Sequence, residues 1–494
     1  MQDKAQLKKN LWFFPLGTVG RDMIYNLFTN FILVFIMCTK QLDEGQLAAI
    51  TGIMIGARVF DALNDPIMGN IIERTRTRFG KFKPWLLIGI LTTSVVVYLA
   101  FNTSLTGWSF VVFFGFIYFM YSLTFTMHDI SYWGMIPALS QDGSDRDKFT
   151  SRASFFAGIG STLVSLLVPM FTAGALTIGG SAATAYGRIA LVVCILAPLF
   201  LMFTLIGVKE KREAVTEPAP RISFKKITST IFGNRELRWM SIIFLLQQIG
   251  GSFAFSGVAT FHVYFRYGYE GGLYSIFSTV GVAATAVLML LYPLISKKLK
   301  RKQFLKVLMI ICAAGCALEL LSGFLPAGSP AFAVLVIGFM AANFGTYGFY
   351  LVMMISIINT VEYNEYTKGT RDEAIISSVR PFVTKLGSAI CVALTSLTYI
   401  IFRVVDYTNK ISEYENLVQQ NLMTEEEKLS SVNAVISEVS NGQTIGLVAA
   451  LAGVQLLFTL AAYLLYRKKY TLDEEEYDRI CQELNAGKKA PGGD

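Results

Sequence analysis

The sequence predicts an all-α membrane protein of about twelve transmembrane helices, and three observations carry that prediction. Of 494 residues, 53% are hydrophobic and only 16% charged, and mean hydropathy is +0.50, well to the apolar side of a soluble domain. The apolar runs are each long enough to cross a hydrocarbon core of roughly 30 Å, which takes about 20 helical residues. The loops between them alternate between basic and non-basic. Helices are expected throughout because an open sheet leaves backbone groups unpaired in lipid.

The runs cover residues 11–38, 46–71, 84–101, 108–138, 151–173, 187–207, 238–264, 273–296, 304–324, 331–360, 374–402 and 443–466. Lys4, Lys8 and Lys9 precede the first. Arg74, Arg76, Arg78, Lys81 and Lys83 follow the second, Lys209 to Lys226 the sixth, and Lys297 to Lys302 the eighth. Positive loops stay cytoplasmic, so both termini are expected on that side of the cell membrane. The net charge of +8 is thereby a topology signal that calls for no nucleic-acid partner. The first run is too long for a removable signal and contains Arg21 and Asp22, so it is expected to remain as a span. Cys38, Cys194, Cys312, Cys316, Cys391 and Cys481 read as free apolar thiols; Cys312 and Cys316 share a helical face with no His or carboxylate beside them.

The stretch 208–237, "VKEKREAVTEPAPRISFKKITSTIFGNREL", divides the spans six and six. The expected domains are a six-helix bundle at 1–207, a central cytoplasmic loop at 208–237, a second six-helix bundle at 238–466 and a cytoplasmic tail at 467–494. A Pro, apolar turn, basic loop and new span recur in "DPIMGNIIERTRTRFGKFKPWLLIG" and "YPLISKKLKRKQFLKVLMI". Two pseudo-symmetric six-helix halves around a midplane site describe the major facilitator fold of secondary transporters. Residues 403–442 form a long polar connection on the outer side, read as a solvated insertion with a short surface helix capped by Thr424.

A charge at the bilayer centre costs about 2.5–3.5 kcal/mol on insertion scales, so one retained there has a partner or a task. Arg21, Asp22, Arg58, Asp61, Asp65, Asp129, Arg380 and Lys385 all fall within spans. Asp61 and Asp65 lie four apart on one helix face with Asn64 beside them. Their mutual repulsion suits a small hard cation held by oxygen ligands, and Pro66 removes a ladder donor next to them. The competing reading has these carboxylates salt-bridged to Arg21, Arg58, Arg380 or Lys385. In "TFTMHDISYWGMIP", Thr126, Asp129 and Trp133 form one stripe: hydroxyl, carboxylate and large ring, suited to a polar ligand with an apolar face such as a sugar. His128 reads as a packed residue, and Glu319 as lying near the outer surface. The cluster "ERTRTRFGKFKP" reads as a cytoplasmic anchor or as a latch on helix ends.

Three long motifs, "DALNDPIMGNIIERTRTRFGKFKPW", "DISYWGMIPAL" and "NTVEYNEYTKGTRDEAIISSVRPFVTKLGSA", together resemble the glycoside-pentoside-hexuronide:cation symporters, the group that includes the melibiose permease. The resemblance runs through spans one to eleven. It implies co-transport of a sugar or glycoside with Na⁺, Li⁺ or H⁺ and no cofactor. It further implies Asp61, Asn64, Asp65 and Thr126 as the ligands of a metal cation (Na⁺), and Asp22, Asp129, Trp133, Arg152 and Lys385 as sugar-binding residues. Departures from the family are Arg21 in place of a lysine, Pro381 in place of a hydroxyl, Arg152 two residues upstream of the family's position, and a longer 403–442 loop. A monomer coupling a monovalent cation to sugar entry is the expected protein. A lysolipid carrier of the same superfamily and a non-transporting membrane sensor are the alternatives. An enzyme is not expected, because His128 and His262 form no catalytic pattern, nor is a primary pump, because no phosphate-binding loop is present.

Overall fold

A computed structural model describes residues 4–140, 143–209, 224–295 and 299–489. Residues 210–223 of the central loop, 296–298 of the third basic loop and 490–494 of the tail lie outside the described residues. The described chain is α-helical: α1 (Lys4–Thr39), α2 (Glu44–Arg74), α3 (Lys83–Phe101), α4 (Gly107–Leu139), α5 (Gly143–Thr172), α6 (Ala182–Gly207), α7 (Phe224–Gly233), α8 (Arg235–Phe253), α9 (Gly257–Tyr267), α10 (Gly271–Ile295), α11 (Arg301–Phe324), α12 (Ser329–Lys368), α13 (Glu373–Ile401), α14 (Val404–Gln419), α15 (Glu425–Ser437), α16 (Asn441–Lys469) and α17 (Glu474–Lys489). Among the described residues, eleven segments are long and apolar enough to cross a membrane, α8 and α9 together forming one of them. α2 is counted apart from these eleven. At 31 residues it is about 46 Å long and can cross as well.

Local chemistry sets the helix ends. Asp43 caps α2 by accepting from Gln46 N at 2.7 Å, while the Gln46 side chain accepts from Asp43 N at 3.2 Å, a reciprocal box. Ser181 caps α6 and Asn234 caps α8. Gly369, at φ 70°, closes α12 in the left-handed conformation. Within the basic cluster, Lys83 Nζ donates to Leu205 O at 2.8 Å and Val208 O at 2.6 Å. An ammonium there satisfies the unpaired carbonyls at the end of α6 and meets the negative end of its dipole.

The chain packs as two compact units. The first comprises Met1–Pro218, Thr260–Thr279 and Thr395–Thr444, the second Ala219–Ala259, Val280–Leu394 and Ile445–Asp494. In the first, α1 runs against both α5 and α6. A Cβ on Gly20 would lie 2.5 Å from Ala197 Cα, so only glycine permits this approach. With that face of α1 closed, Arg21 reaches across to α4. α4 is also packed on α2 and α3, and His128 Nδ1 sits 3.0 Å from Leu86 O, fully buried, as a packed residue should be.

In the second unit α11 and α12 form the tightest pair. Their contact corrects two sequence expectations. Glu319 does not lie at a surface: it is wholly buried where Gly338 of α12 leaves room for it. It also stands one turn beyond Cys316 on the same helix, so the cysteine face does have a carboxylate beside it. Among the described residues no group of three or more His, Cys, Asp or Glu could hold a metal ion.

Residues 403–442 correct a third expectation. Thr424 does cap α15, accepting from Glu427 N at 3.3 Å. The connection as a whole is not a solvated insertion. α14 and α15 pair as a helical hairpin, and α14 lies along α1 and α6, burying Val404, Val405, Ile411, Val432 and Val435.

Candidate cation and sugar site

α2 and α4 run parallel and meet in register. Ser122 Oγ donates to Asp61 Oδ1, and Thr126 Oγ1 reaches Asp65 Oδ1 at 3.4 Å. Both contacts join residues 61 apart, so one turn on α2 is matched by one turn on α4. Asp61, Asn64 and Thr126 are buried and Asp65 is half-buried. The Asn64 amide nitrogen is buried with no hydrogen-bond partner, and since amide nitrogen and oxygen are assigned from their surroundings, one end of this amide is available to a ligand either way. The four residues expected from the sequence as cation ligands are therefore together, with Ser122 as a fifth oxygen. Only two of the five groups carry charge, which suits a monovalent ion held largely by neutral oxygens. Arg58, one turn before Asp61, is buried and lies in the field of Asp61, Tyr25, Tyr118 and Tyr121.

Ser122 escaped the sequence reading although the signal was present. Ser122, Thr126, Asp129 and Trp133 recur at intervals of four, three and four on α4, one continuous stripe. What the sequence lacks is the pairing of Ser122 with a particular residue of α2.

The second polar set centres on Arg21. Its Nη1 donates to Asp22 Oδ2 at 2.7 Å, and its Nε and Nη2 both donate to Asp129 Oδ1, the former at 3.0 Å. The guanidinium lies over the Trp133 ring at 5.3 Å and over Phe125 at 5.7 Å. Asp22, Asp129 and Trp133 are thus brought together, with Arg21 as the residue that gathers them. Arg21 forms salt bridges with both carboxylates of this set. It does not satisfy them fully: one guanidinium faces two carboxylates, and the Asp129 side chain keeps 35% of its surface exposed.

An aromatic wall joins the two sets. Phe125 stacks on Tyr25 at 5.2 Å and on Tyr121 at 5.5 Å, while Tyr121 stacks on Phe28. Tyr25 and Tyr121 lie within the field of Arg58, and Arg21 lies over Phe125. Two stacked rings therefore lie between the surroundings of Arg58 and Arg21.

Arg152 is not part of this cluster. Its Nη1 donates to Leu11 O at 3.2 Å and its guanidinium covers the Trp12 ring at 5.1 Å. Eleven residues separate Leu11 from Asp22 on α1, about 16 Å of helix. Lys385 is half-buried on α13 of the second unit, next to Thr384, which accepts from Gln248 Nε2 at 2.9 Å.

Comparison with known proteins places these features in context. The family model described as "MFS/sugar transport protein" matches residues 13–473. The lactose permease of Lactobacillus helveticus is 27% identical over 408 residues, covering 78% of this chain and 62% of the permease. The raffinose carrier protein of Pediococcus pentosaceus is 27% identical over 400 residues, covering 76% of this chain and 60% of the carrier. The chain thus spans about three-fifths of the length of these relatives. Among solved structures, a bacterial homologue of the human lysosomal transporter Spinster superposes with a TM-score of 0.63 at 12% identity, covering 94% of this chain and 99% of that one. This last likeness shows the fold alone: an all-α major facilitator architecture.

Proposed function

The chain belongs to the MFS/sugar transport protein family, and we propose that it is a symporter that carries a sugar or glycoside into the cell by alternating access, coupled to a monovalent cation. Na⁺ is the coupling ion that best suits the donor set, ahead of H⁺ or Li⁺. The protein acts as a monomer in the cell membrane with both termini cytoplasmic. It belongs to a family of transporters and is not an enzyme.

The observation that carries this reading is that α4 contributes to both polar sets. Ser122 and Thr126 bond Asp61 and Asp65 of α2, and one turn further Asp129 bonds Arg21 of α1. A cation relieving the Asp61–Asp65 repulsion would bind α2 to α4 and so fix the position of Asp129 and Trp133. A sugar ring has hydroxyls for Asp22, Asp129 and Arg21 and an apolar face for Trp133. Coupling of this kind is reciprocal: sugar tightens the cation by the factor by which the cation tightens sugar, typically about 5- to 150-fold. Lys385 and Arg152 are assigned to the sugar by family resemblance. For Arg152 this requires a conformation in which it leaves Trp12.

Uptake of radiolabelled disaccharides and glycosides into proteoliposomes, with and without an imposed Na⁺ gradient at constant pH, tests the proposal. Concentrative uptake driven by Na⁺ supports it. Uptake driven by a pH gradient and indifferent to Na⁺ leaves a proton symporter. Movement of lysolipid with no sugar uptake makes the protein a lipid carrier, and movement of neither leaves a sensor.

A further inference from the structure

The α14–α15 hairpin carries a buried, paired carboxylate and ammonium, and the sugar and cation site does not use them. Glu415 and Lys428 form an ion pair at 3.3 Å with side chains 0% and 1% exposed. Glu415 Oε2 also accepts from Ala182 N, the first residue of α6, at 2.6 Å, and its Oε1 accepts from Tyr269 Oη at 3.1 Å. Lys428 Nζ donates to Gly180 O. Gly179 and Gly180 adopt φ of 78° and 82°, left-handed backbone that favours glycine. A Cβ on Gly180 would sit 2.7 Å from Glu425 Oε1. The loop before α6 is thus shaped as a receptor for the hairpin. A second clip lies near α1, where Asn409 accepts from Leu42 N at 2.9 Å and donates to Leu42 O at 2.8 Å.

The connections on either side have little slack. α13 ends at Ile401 and α14 begins at Val404; α15 ends at Ser437 and α16 begins at Asn441. Linkers of two and three residues extend at most about 3.3–3.6 Å per residue. α13 up to Leu394 and α16 from Ile445 belong to the second unit. Alternating access moves one bundle against the other. The hairpin lies in the first unit together with the end of α13 from Thr395 and the start of α16 to Thr444, and both helices continue into the second unit, so motion of one bundle against the other loads the two short linkers.

We propose that the α14–α15 hairpin is a latch: it is seated on the α5–α6 loop by Glu415 and Lys428 in the conformation seen here, and it is released once in each transport cycle. The latch rests on the alternating-access reading above. Its seated state neutralises Lys428 and completes the α6 N-terminus, and its release exposes the inner face of α14.

Ser412 reports on that face. It is fully buried, its hydroxyl has no partner, and cysteine is close to it in size. The experiment follows labelling of Ser412→Cys by a membrane-impermeant maleimide in right-side-out vesicles, at rest and during turnover with sugar and cation. It is repeated with Glu415→Gln or Lys428→Met added. Slow labelling at rest that rises on the order of tenfold on adding either variant supports a seat held by this pair. A rise during turnover supports release in the cycle. A disulfide between Leu42→Cys and Asn409→Cys should stop uptake, and reductant should restore it. Equal labelling in all backgrounds overturns the seat. Labelling that responds to the variants but not to turnover, or uptake unaffected by the disulfide, overturns the release step. If no sugar is transported, the resting arms still report on the seat, so its failure is distinct from failure of the transport reading. Thermal unfolding of each variant by tryptophan fluorescence excludes loss of fold as the cause of faster labelling.

Discussion

Two buried charge clusters in the first unit differ in a way that separates holding from binding. At Glu415 and Lys428 one carboxylate faces one ammonium, and every exposed fraction is near zero. At Arg21 one guanidinium faces two carboxylates, Asp22 and Asp129, with side chains 14% and 35% exposed. α2 sets two carboxylates, Asp61 and Asp65, one turn apart, each met by a hydroxyl of α4. A balanced, fully paired cluster has nothing left to offer a ligand, and its removal costs structure. An unbalanced, partly open cluster retains acceptor capacity and negative charge, which hydroxyl donors and a cation can satisfy.

The sharpest way to break this comparison is to neutralise the excess charge. Asp61→Cys or Asp65→Cys should abolish concentrative uptake, a loss of at least about 100-fold in accumulation, while sugar binding by equilibrium dialysis survives in part. Asp22→Ala or Asp129→Ala should remove sugar binding first. Each takes a charge-assisted acceptor from the ligand and leaves Arg21 with one carboxylate, worth about 1.5–3 kcal/mol, or roughly ten- to 100-fold in affinity. Should the aspartates of α2 govern sugar affinity and those at Arg21 govern accumulation, the assignment of the two sets is reversed.

The balanced cluster predicts a different response. Lys428→Met alone strands Glu415 in a buried seat and should lower stability by about 3–5 kcal/mol, read as an earlier thermal transition. Pairing Lys428→Met with Glu415→Leu should recover much of that loss. A recovery of stability without recovery of uptake would show the pair acting in transport beyond fold maintenance.

What the sequence revealed and what it hid follow the same division. The apolar runs and the capping of α15 by Thr424 were legible because each depends on residues within a few turns of one another, whereas the helix ends were not: α1 begins at Lys4, α5 at Gly143, and the run 238–264 divides into α8 and α9. The α4 stripe and the Asp61, Asn64, Asp65 turn were legible because helical spacing alone puts them on one face. Arg21 was visible as an intramembrane charge, but its grip on Asp129 spans 108 residues. The seat of the hairpin spans 233, from Ala182 to Glu415. Polar composition made 403–442 look solvated, whereas its apolar positions at 404, 405, 411, 432 and 435 pack inward. Glu319 follows the same rule: its burial is set by Gly338 on a neighbouring helix.

The smallest expected effect discriminates most finely between cations. A proton needs one carboxylate, but Na⁺ needs several oxygens at once, and here Asn64, Ser122 and Thr126 stand beside the aspartate pair. Ser122→Ala deletes one neutral oxygen and leaves both carboxylates able to take a proton; Asn64→Ala does the same from α2. Each should weaken Na⁺ stimulation of uptake by a few-fold, in keeping with about 0.5–1.5 kcal/mol for a neutral contact, and leave proton-driven uptake nearly unchanged. Lys148→Ala serves as the control, since its ammonium pairs with Asp145 on the same helix and lies outside both polar sets. The measurement is initial uptake at constant pH across a sodium series in wild type and the three variants. A loss of proton-driven uptake equal to the loss of Na⁺ stimulation would assign Ser122 and Asn64 to packing of α2 on α4, because a merely structural defect cannot tell the two ions apart.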